Sequence, residues 1–85
     1  MWIRSQDRKT LVNADKFSVS KEHEVFRIYS VNSFFGEYST EEKALKVMDM
    51  IEDTILKCEA MRTGYAEYDF GAFVFDMPAD KDVEV

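Results

Sequence analysis

A single amphipathic helix pattern in the second half of the chain sets the strongest limit on its fold. Apolar residues recur at steps of three and four through residues 40–62, which places them on one stripe of a helix about 34 Å long. Ser39 and Glu42 stand at the spacing of an N-terminal capping box. One such helix covers only one face of a small sheet. Its expected core positions are Ala44, Leu45, Met48, Ile51, Ile55 and Cys58.

Strand patterns flank this helix on both sides. Residues 25–31 are rich in β-branched and aromatic residues and are the clearest strand, followed by a predicted turn at Asn32 and Ser33. Asn13 and Asp15 weaken the middle of a second strand or mark a bulge. The other predicted strands cover residues 1–5, 11–20, 34–38 and 70–77. The pattern indicates an antiparallel meander of about four strands, then the helix, then a final strand.

The predicted class is therefore α+β, with one domain over residues 1–78. We expect Phe26, Ile28 and Phe75 to pack against the helix stripe, because strand alternation puts each on one face. Residues 79–85 follow Pro78 and are mostly charged, so we expect an exposed acidic tail.

Composition limits the size and location of the protein. Its 85 residues are 46% hydrophobic and 33% charged, which is typical of one globular domain rather than a disordered chain. No apolar run is long enough to span a membrane, and the opening residues lack the apolar core of a signal peptide. The single cysteine, Cys58, fits a reducing compartment. We therefore expect a cytoplasmic protein.

Charge is divided unevenly along the chain, with a net charge of −6. Residues 1–38 have six basic and five acidic side chains, whereas residues 39–85 have five basic and twelve acidic ones. An acidic second half argues against binding of nucleic acid or of anionic lipid, since both require basic side chains. It favours either simple solubility or attraction to a basic protein surface.

Few residues indicate catalytic or metal chemistry. His23 lies in a polar turn without ligands at metal-binding spacing, and Cys58 continues the apolar stripe of the helix. Asp80, Asp82 and Glu84 alternate but lack the glycine turn and later glutamate of a calcium loop. We predict no metal, no cofactor and no catalytic residues.

The second face of the sheet is the feature most relevant to function. If the helix covers one face, the other retains large side chains and an arginine, which is typical of a partner surface or of self-association. The alternative is that residues 64–72 cover it. The side chains expected there are Val25, Arg27, Tyr29, Val31 and either Phe34 or Phe35. We expect a homo-oligomer through this face, with Arg27 at or near the interface.

Three stretches resemble short uncharacterised proteins of Firmicutes and their phages and prophages. They are MWIRSQD at residues 1–7, GEYSTEEKALKVMDMI at residues 36–51 and FVFDMPAD at residues 73–80. The resemblance implies a mobile-element origin and a Gram-positive cytoplasm, and it supplies no catalytic residues. The order of strands followed by a helix is similar to the pleckstrin-homology fold, an analogy that implies no ligand.

Two classes of function follow from these patterns. The first is a non-enzymatic interaction protein that binds a host or phage protein, including a defence protein. The second is a homo-oligomeric binder of a small molecule, for example one that sequesters a nucleotide signal. In that case Arg4 and Arg27, on neighbouring strands or nearby, would pair with a phosphate. Trp2, Tyr29 or Phe34 would stack on the base.

Overall fold

The computed structural model describes the backbone of residues 1–64 and 74–85, and the side chains of residues 1–57 and 74–85. The expected α+β class, with one helix packed on a sheet, is confirmed. A short 3₁₀ helix, Asp80–Asp82, follows the last strand. The other elements in these residues are β1 (Trp2–Arg4), β2 (Leu11–Asn13), β3 (Ser18–Glu22), β4 (Val25–Ser30), β5 (Ser33–Tyr38), α1 (Glu41–Gly64) and β6 (Val74–Asp76).

Strands β3, β4 and β5 form an antiparallel meander. The turn between β4 and β5 consists of Val31 and Asn32, which have φ angles of 52° and 67°. Two positive φ angles in a two-residue turn match the right-handed twist of the flanking strands. The turn therefore lies one residue earlier than predicted, and Val31 belongs to the turn rather than to the strand.

Residues 11–20 form two strands in different sheets rather than one strand. β2 pairs with β1, whereas β3 pairs with β4. The chain changes sheets at the polar segment around Asn13 and Asp15. There Ala14 is buried, and its backbone N–H donates to the carbonyl of Met1 over 2.9 Å. This contact fixes the break, so β1 and β2 do not belong to the meander.

The final strand is present as β6, and it pairs with β1 in parallel. Ile3 stands opposite Phe75 in this pair, and both side chains enter the core. The second sheet has the order β2-β1-β6, so α1 connects the edge of one sheet to the edge of the other. Residues 70–73 of the predicted strand lie outside the described residues.

Helix α1 is capped one residue later than the capping box predicts. The backbone N–H of Lys43 donates to Oγ1 of Thr40 over 3.2 Å, so Thr40 rather than Ser39 is the N-cap. The side chain of Ser39 instead donates to a carboxylate oxygen of Asp80 over 3.1 Å. The start of the helix is thus tied to the end of the chain.

The buried stripe of α1 runs through Ala44, Val47 and Ile51. Leu45 was expected in the core but is 49% exposed, because it lies about 100° around the helix from Ala44. Met48, Ile55 and Phe26 are only partly buried and pack against the core. The core itself consists of Ile3, Ile28, Phe35, Tyr38, Ala44, Val47, Ile51, Phe75, Met77 and Val83.

Residues 79–85 do not form the expected exposed tail. Val83 is only 5% exposed and belongs to the core. Asp80 accepts a hydrogen bond of 2.8 Å from the backbone N–H of Ser39, and the ammonium group of Lys43 lies 3.6 Å from its carboxylate. Burial of one apolar side chain and these polar contacts hold the segment against the helix start.

Candidate functional site

Strand alternation directs Arg27 and Tyr29 away from the core. Between and beside them in β4, Ile28 and Ser30 are buried on the helix side of the sheet. We call the side of the β3-β4-β5 sheet that points away from α1 the outer face. Arg27 and Tyr29 are half-buried there, as expected for residues that lean on their neighbours across the strands.

An irregularity in β5 decides which phenylalanine reaches the outer face. Ile28 pairs with Gly36 and Tyr29 pairs with Phe34, so Phe35 is an extra residue in a β-bulge. Phe35 is buried, whereas Phe34 is 48% exposed. Of the two alternatives left open by the sequence, Phe34 is the outer-face residue, and Phe35 is a core residue.

Five outer-face side chains form one cluster, which we call the Arg27 cluster: Glu22, Arg27, Tyr29, Phe34 and Glu37. Nε of Arg27 donates to Oε1 of Glu37 over 3.0 Å, and its Nη1 lies 3.7 Å from Oε2 of Glu22. The guanidinium carbon lies 4.4 Å from the ring centroid of Phe34, a cation–π contact. The rings of Tyr29 and Phe34 meet edge to face with centroids 6.2 Å apart. Phe34 is therefore half-exposed and yet held on two sides.

Hydrogen bonds in the cluster raise the pKa values of Tyr29 and Arg27. The hydroxyl of Tyr29 donates to the carboxylate of Glu22, which raises the pKa of Tyr29 because the bond is lost when the phenol ionises. The bond to Glu37 raises the pKa of Arg27 by favouring its charged form. At neutral pH Arg27 is thus charged and Tyr29 is neutral.

Arg4 does not join this cluster. It lies in β1, in the other sheet, where its Nε is 3.5 Å from the carboxylate of Asp76 in β6. The structure therefore brings together Arg27, Tyr29 and Phe34, but it does not place Arg4 on a neighbouring strand as a two-arginine phosphate site requires.

Gln6 positions the cluster and was missed by sequence reasoning. Its side-chain amide pairs with the backbone of Glu37 like a strand residue: Oε1 accepts from the N–H over 3.0 Å, and Nε2 donates to the carbonyl over 3.1 Å. Its own backbone N–H donates to the carbonyl of Phe35 over 2.7 Å. One glutamine between two strands has no sequence pattern that predicts contacts 31 residues away.

An open cleft of about 630 Å³ adjoins the Arg27 cluster. It shares Tyr29 with the cluster, and Lys16 is a cation at its rim. His23 is exposed in the turn between β3 and β4, and the side chain of Cys58 lies outside the described residues. The cleft is also lined by Asp15, Phe17, Ser18, Ser30, Val31 and Asn32.

The buried polar groups in the described part of the chain are all satisfied. There, no buried side-chain nitrogen or oxygen lacks a hydrogen-bond partner, and no group of three or more histidine, cysteine or acidic residues is placed to hold a metal. Within the described residues, no helix has the length and apolar character needed to cross a bilayer.

No protein-family model, no curated protein and no solved structure matches the chain. The assignment of function therefore depends on the geometry of the outer face.

Proposed function

We propose that this chain is a non-enzymatic interaction protein that binds a host or phage protein through the Arg27 cluster. The observation that carries the proposal is the state of Phe34, which is half-exposed while Arg27 and Tyr29 hold its ring. Aromatic and arginine side chains supply most of the energy at protein interfaces. A ring that is already ordered loses little conformational freedom on binding, which favours affinity.

The charges around Phe34 favour a basic partner surface. Two carboxylates, of Glu22 and Glu37, surround the single guanidinium of Arg27. The chain as a whole has a net charge of −6. A partner with a basic rim around an apolar pocket would complement both the Arg27 cluster and the negative electrostatic field of the whole chain. Proteins that bind nucleic acid have such surfaces, and the resemblance to phage proteins makes a host defence protein of this kind a suitable target in the cytoplasm.

A homo-oligomeric binder of a small molecule, such as a nucleotide signal, is the second candidate. The cleft beside Tyr29 favours it, since Phe17 and Tyr29 offer aromatic rings and Lys16 offers a cation. The Arg27 cluster itself is a poor phosphate site, because both carboxylates would repel the anion. Native mass spectrometry of the protein purified from its host distinguishes the two, since only a small-molecule binder retains a ligand of nucleotide mass.

The proposal is tested by comparing two variants at apolar residues of nearly equal fractional exposure. Phe34 and Leu45 are 48% and 49% exposed, the first in the cluster and the second on the helix. Tagged wild type, Phe34→Ala and Leu45→Ala are expressed in the host, and the proteins bound to each are quantified. We expect Phe34→Ala to lose about tenfold or more of a specific partner, as for an interface hot spot. Equal retention by both variants would contradict the proposal.

A further inference from the structure

The two edges of the β3-β4-β5 sheet differ in their hydrogen bonding. The β5 edge is occupied by Gln6, whose backbone and side chain bond Phe35 and Glu37. At the opposite edge, no described residue outside β4 hydrogen-bonds the backbone of β3. An open strand edge is a template for pairing with another strand. β3 is therefore the place in the described chain where this sheet can be extended.

The segment around β3 has a charge order that complements itself when two copies run antiparallel. Lys16 precedes the strand and Glu24 follows it; both are exposed, and neither has an ion-pair partner among the described residues. A two-fold axis through Ser20 sets Ser20 opposite Ser20 of the second copy. It also brings Lys16, just before the strand of each copy, near Glu24 in the turn that follows the strand of the other. The ammonium group of Lys21 lies 5.8 Å from the Phe26 ring centroid, so its charge is directed to the helix side rather than across the edge.

An apolar groove lies beside the same edge. It has a volume of about 280 Å³ and runs between Phe17, just before β3, and the helix residues Ile55 and Leu56, with Asp49 and Glu52 of the helix also in its lining. Leu56 is 61% exposed. Phe17 and Val19 are two residues apart and share the helix side of the strand. In the two-fold register Val19 of each copy stands opposite Lys21 of the other and diagonal to the other Val19, so the strand pairing adds a contact between the two Val19 side chains on the helix side.

The outer face fits a second copy less well than this edge does. Two identical outer faces would bring the carboxylates of Glu22 and Glu37 against those of the other copy, and like charges at a contact are unfavourable. The sequence-based expectation placed self-association on that face. The charge pattern of the folded chain favours the β3 edge instead.

We propose that two copies of this chain form a two-fold symmetric dimer by antiparallel pairing of their β3 strands, centred on Ser20. The pairing joins the two meanders into one six-stranded sheet with both Arg27 clusters on the same side. The two β4 strands are then about 14 Å apart, three strand spacings of about 4.8 Å. The dimer would present two Arg27 clusters to a partner, and this role rests on the proposed function. The existence of the dimer does not depend on that function.

Charge-exchange variants test the dimer and its register together. Sedimentation equilibrium should give twice the mass of one chain for the unmodified protein. Lys16→Glu and Glu24→Lys each place like charges opposite each other twice, so each should weaken the dimer about tenfold. An equal mixture of the two variants restores opposite charges at both positions and should recover the dimer. Circular dichroism of each variant should be unchanged, because both side chains are exposed.

Three results would overturn the proposal. The first is a monomer for the unmodified protein at millimolar concentration, which would show that the β3 edge does not pair with a second copy. The second is a dimer that responds to neither charge change nor to their mixture. The third is a dimer that is abolished by Phe34→Ala, which would place self-association on the outer face. A Phe34→Ala variant that remains a dimer and loses the captured partner supports both proposals. If the wild type is a monomer and Phe34→Ala still loses the partner, only the dimer proposal fails. If the dimer persists and Phe34→Ala retains the partner, only the proposed function fails.

Discussion

Gln6 shows, at the scale of single residues, how one side chain can replace a missing strand. Its amide both donates to and accepts from the backbone of Glu37, and Nε2 also donates to the carbonyl of Pro78 over 3.1 Å. These bonds connect β1, β5 and the segment after β6. The position of the Glu37 side chain, and hence its bond to Arg27, depends on them.

Replacing Gln6 should therefore destabilise the whole domain. Gln6→Glu keeps the size and an acceptor but removes both donors, so we expect a loss of about 1–3 kcal/mol in the free energy of unfolding. Gln6→Ala removes all three side-chain bonds and should cost a similar amount. Urea unfolding followed by circular dichroism measures both. A midpoint equal to that of the wild type for either variant would show that the amide does not join the two sheets.

Asp80 should make stability sensitive to acid. Its bond from the backbone N–H of Ser39 lowers its pKa, and the nearby Lys43 adds to this. A lowered pKa stabilises the fold above the unfolded value, about 3.9, and the contribution is lost as pH falls through the folded value. Asp80→Asn should therefore melt below the wild type at neutral pH, and the difference should shrink below pH 4.

Asp82→Asn is the matched control for this effect. Asp82 lies two residues further on, is exposed, and has no side-chain hydrogen bond among the described residues. Its melting temperature should stay close to that of the wild type across the same pH range. Equal pH profiles for the two variants would mean that Asp80 does not hold the end of the chain.

At the scale of elements, α1 offers a direct test of which residues the sheet covers. Ile51 is buried beneath the helix, so Ile51→Ala should cost about 2–5 kcal/mol through lost contacts and a cavity. Leu45 is half-exposed on the same helix, and Leu45→Ala should change stability by no more than about 0.5 kcal/mol. Thermal unfolding of both variants checks the pair, and similar losses would contradict the observed face of the helix.

Elements with a strong local period were predictable, and those fixed by distant contacts were not. The steps of three and four that include Ile51 predict the helix, and the β-branched and aromatic run predicts β4. Leu45 rather than Val47 was predicted in the core, although Val47 lies about 60° from Ala44 around the helix and Leu45 about 100°. The burial of Val83 depends on contacts with residues far away in sequence, and no local pattern encodes them.

Across the whole molecule, two small sheets and one helix share a single core, and the Arg27 cluster lies on the side away from the helix. The sequence predicted that Arg27 and Tyr29 share one face with either Phe34 or Phe35, because alternation along β4 is local. It did not separate Arg4 from them, because the split into two sheets depends on long-range pairing. We therefore propose that recognition uses one face, which is built on the meander.

Site-specific photo-crosslinking tests this assignment most directly. A photoreactive phenylalanine analogue is placed at Phe34 or, as the control, at Leu45, whose exposure is nearly equal. After irradiation of host cells, we expect one discrete adduct with a different protein from position 34 and none with that protein from position 45. Adducts with the same protein from both positions, or only an adduct of twice the chain's own mass from position 34, would contradict the assignment of the outer face to a protein partner.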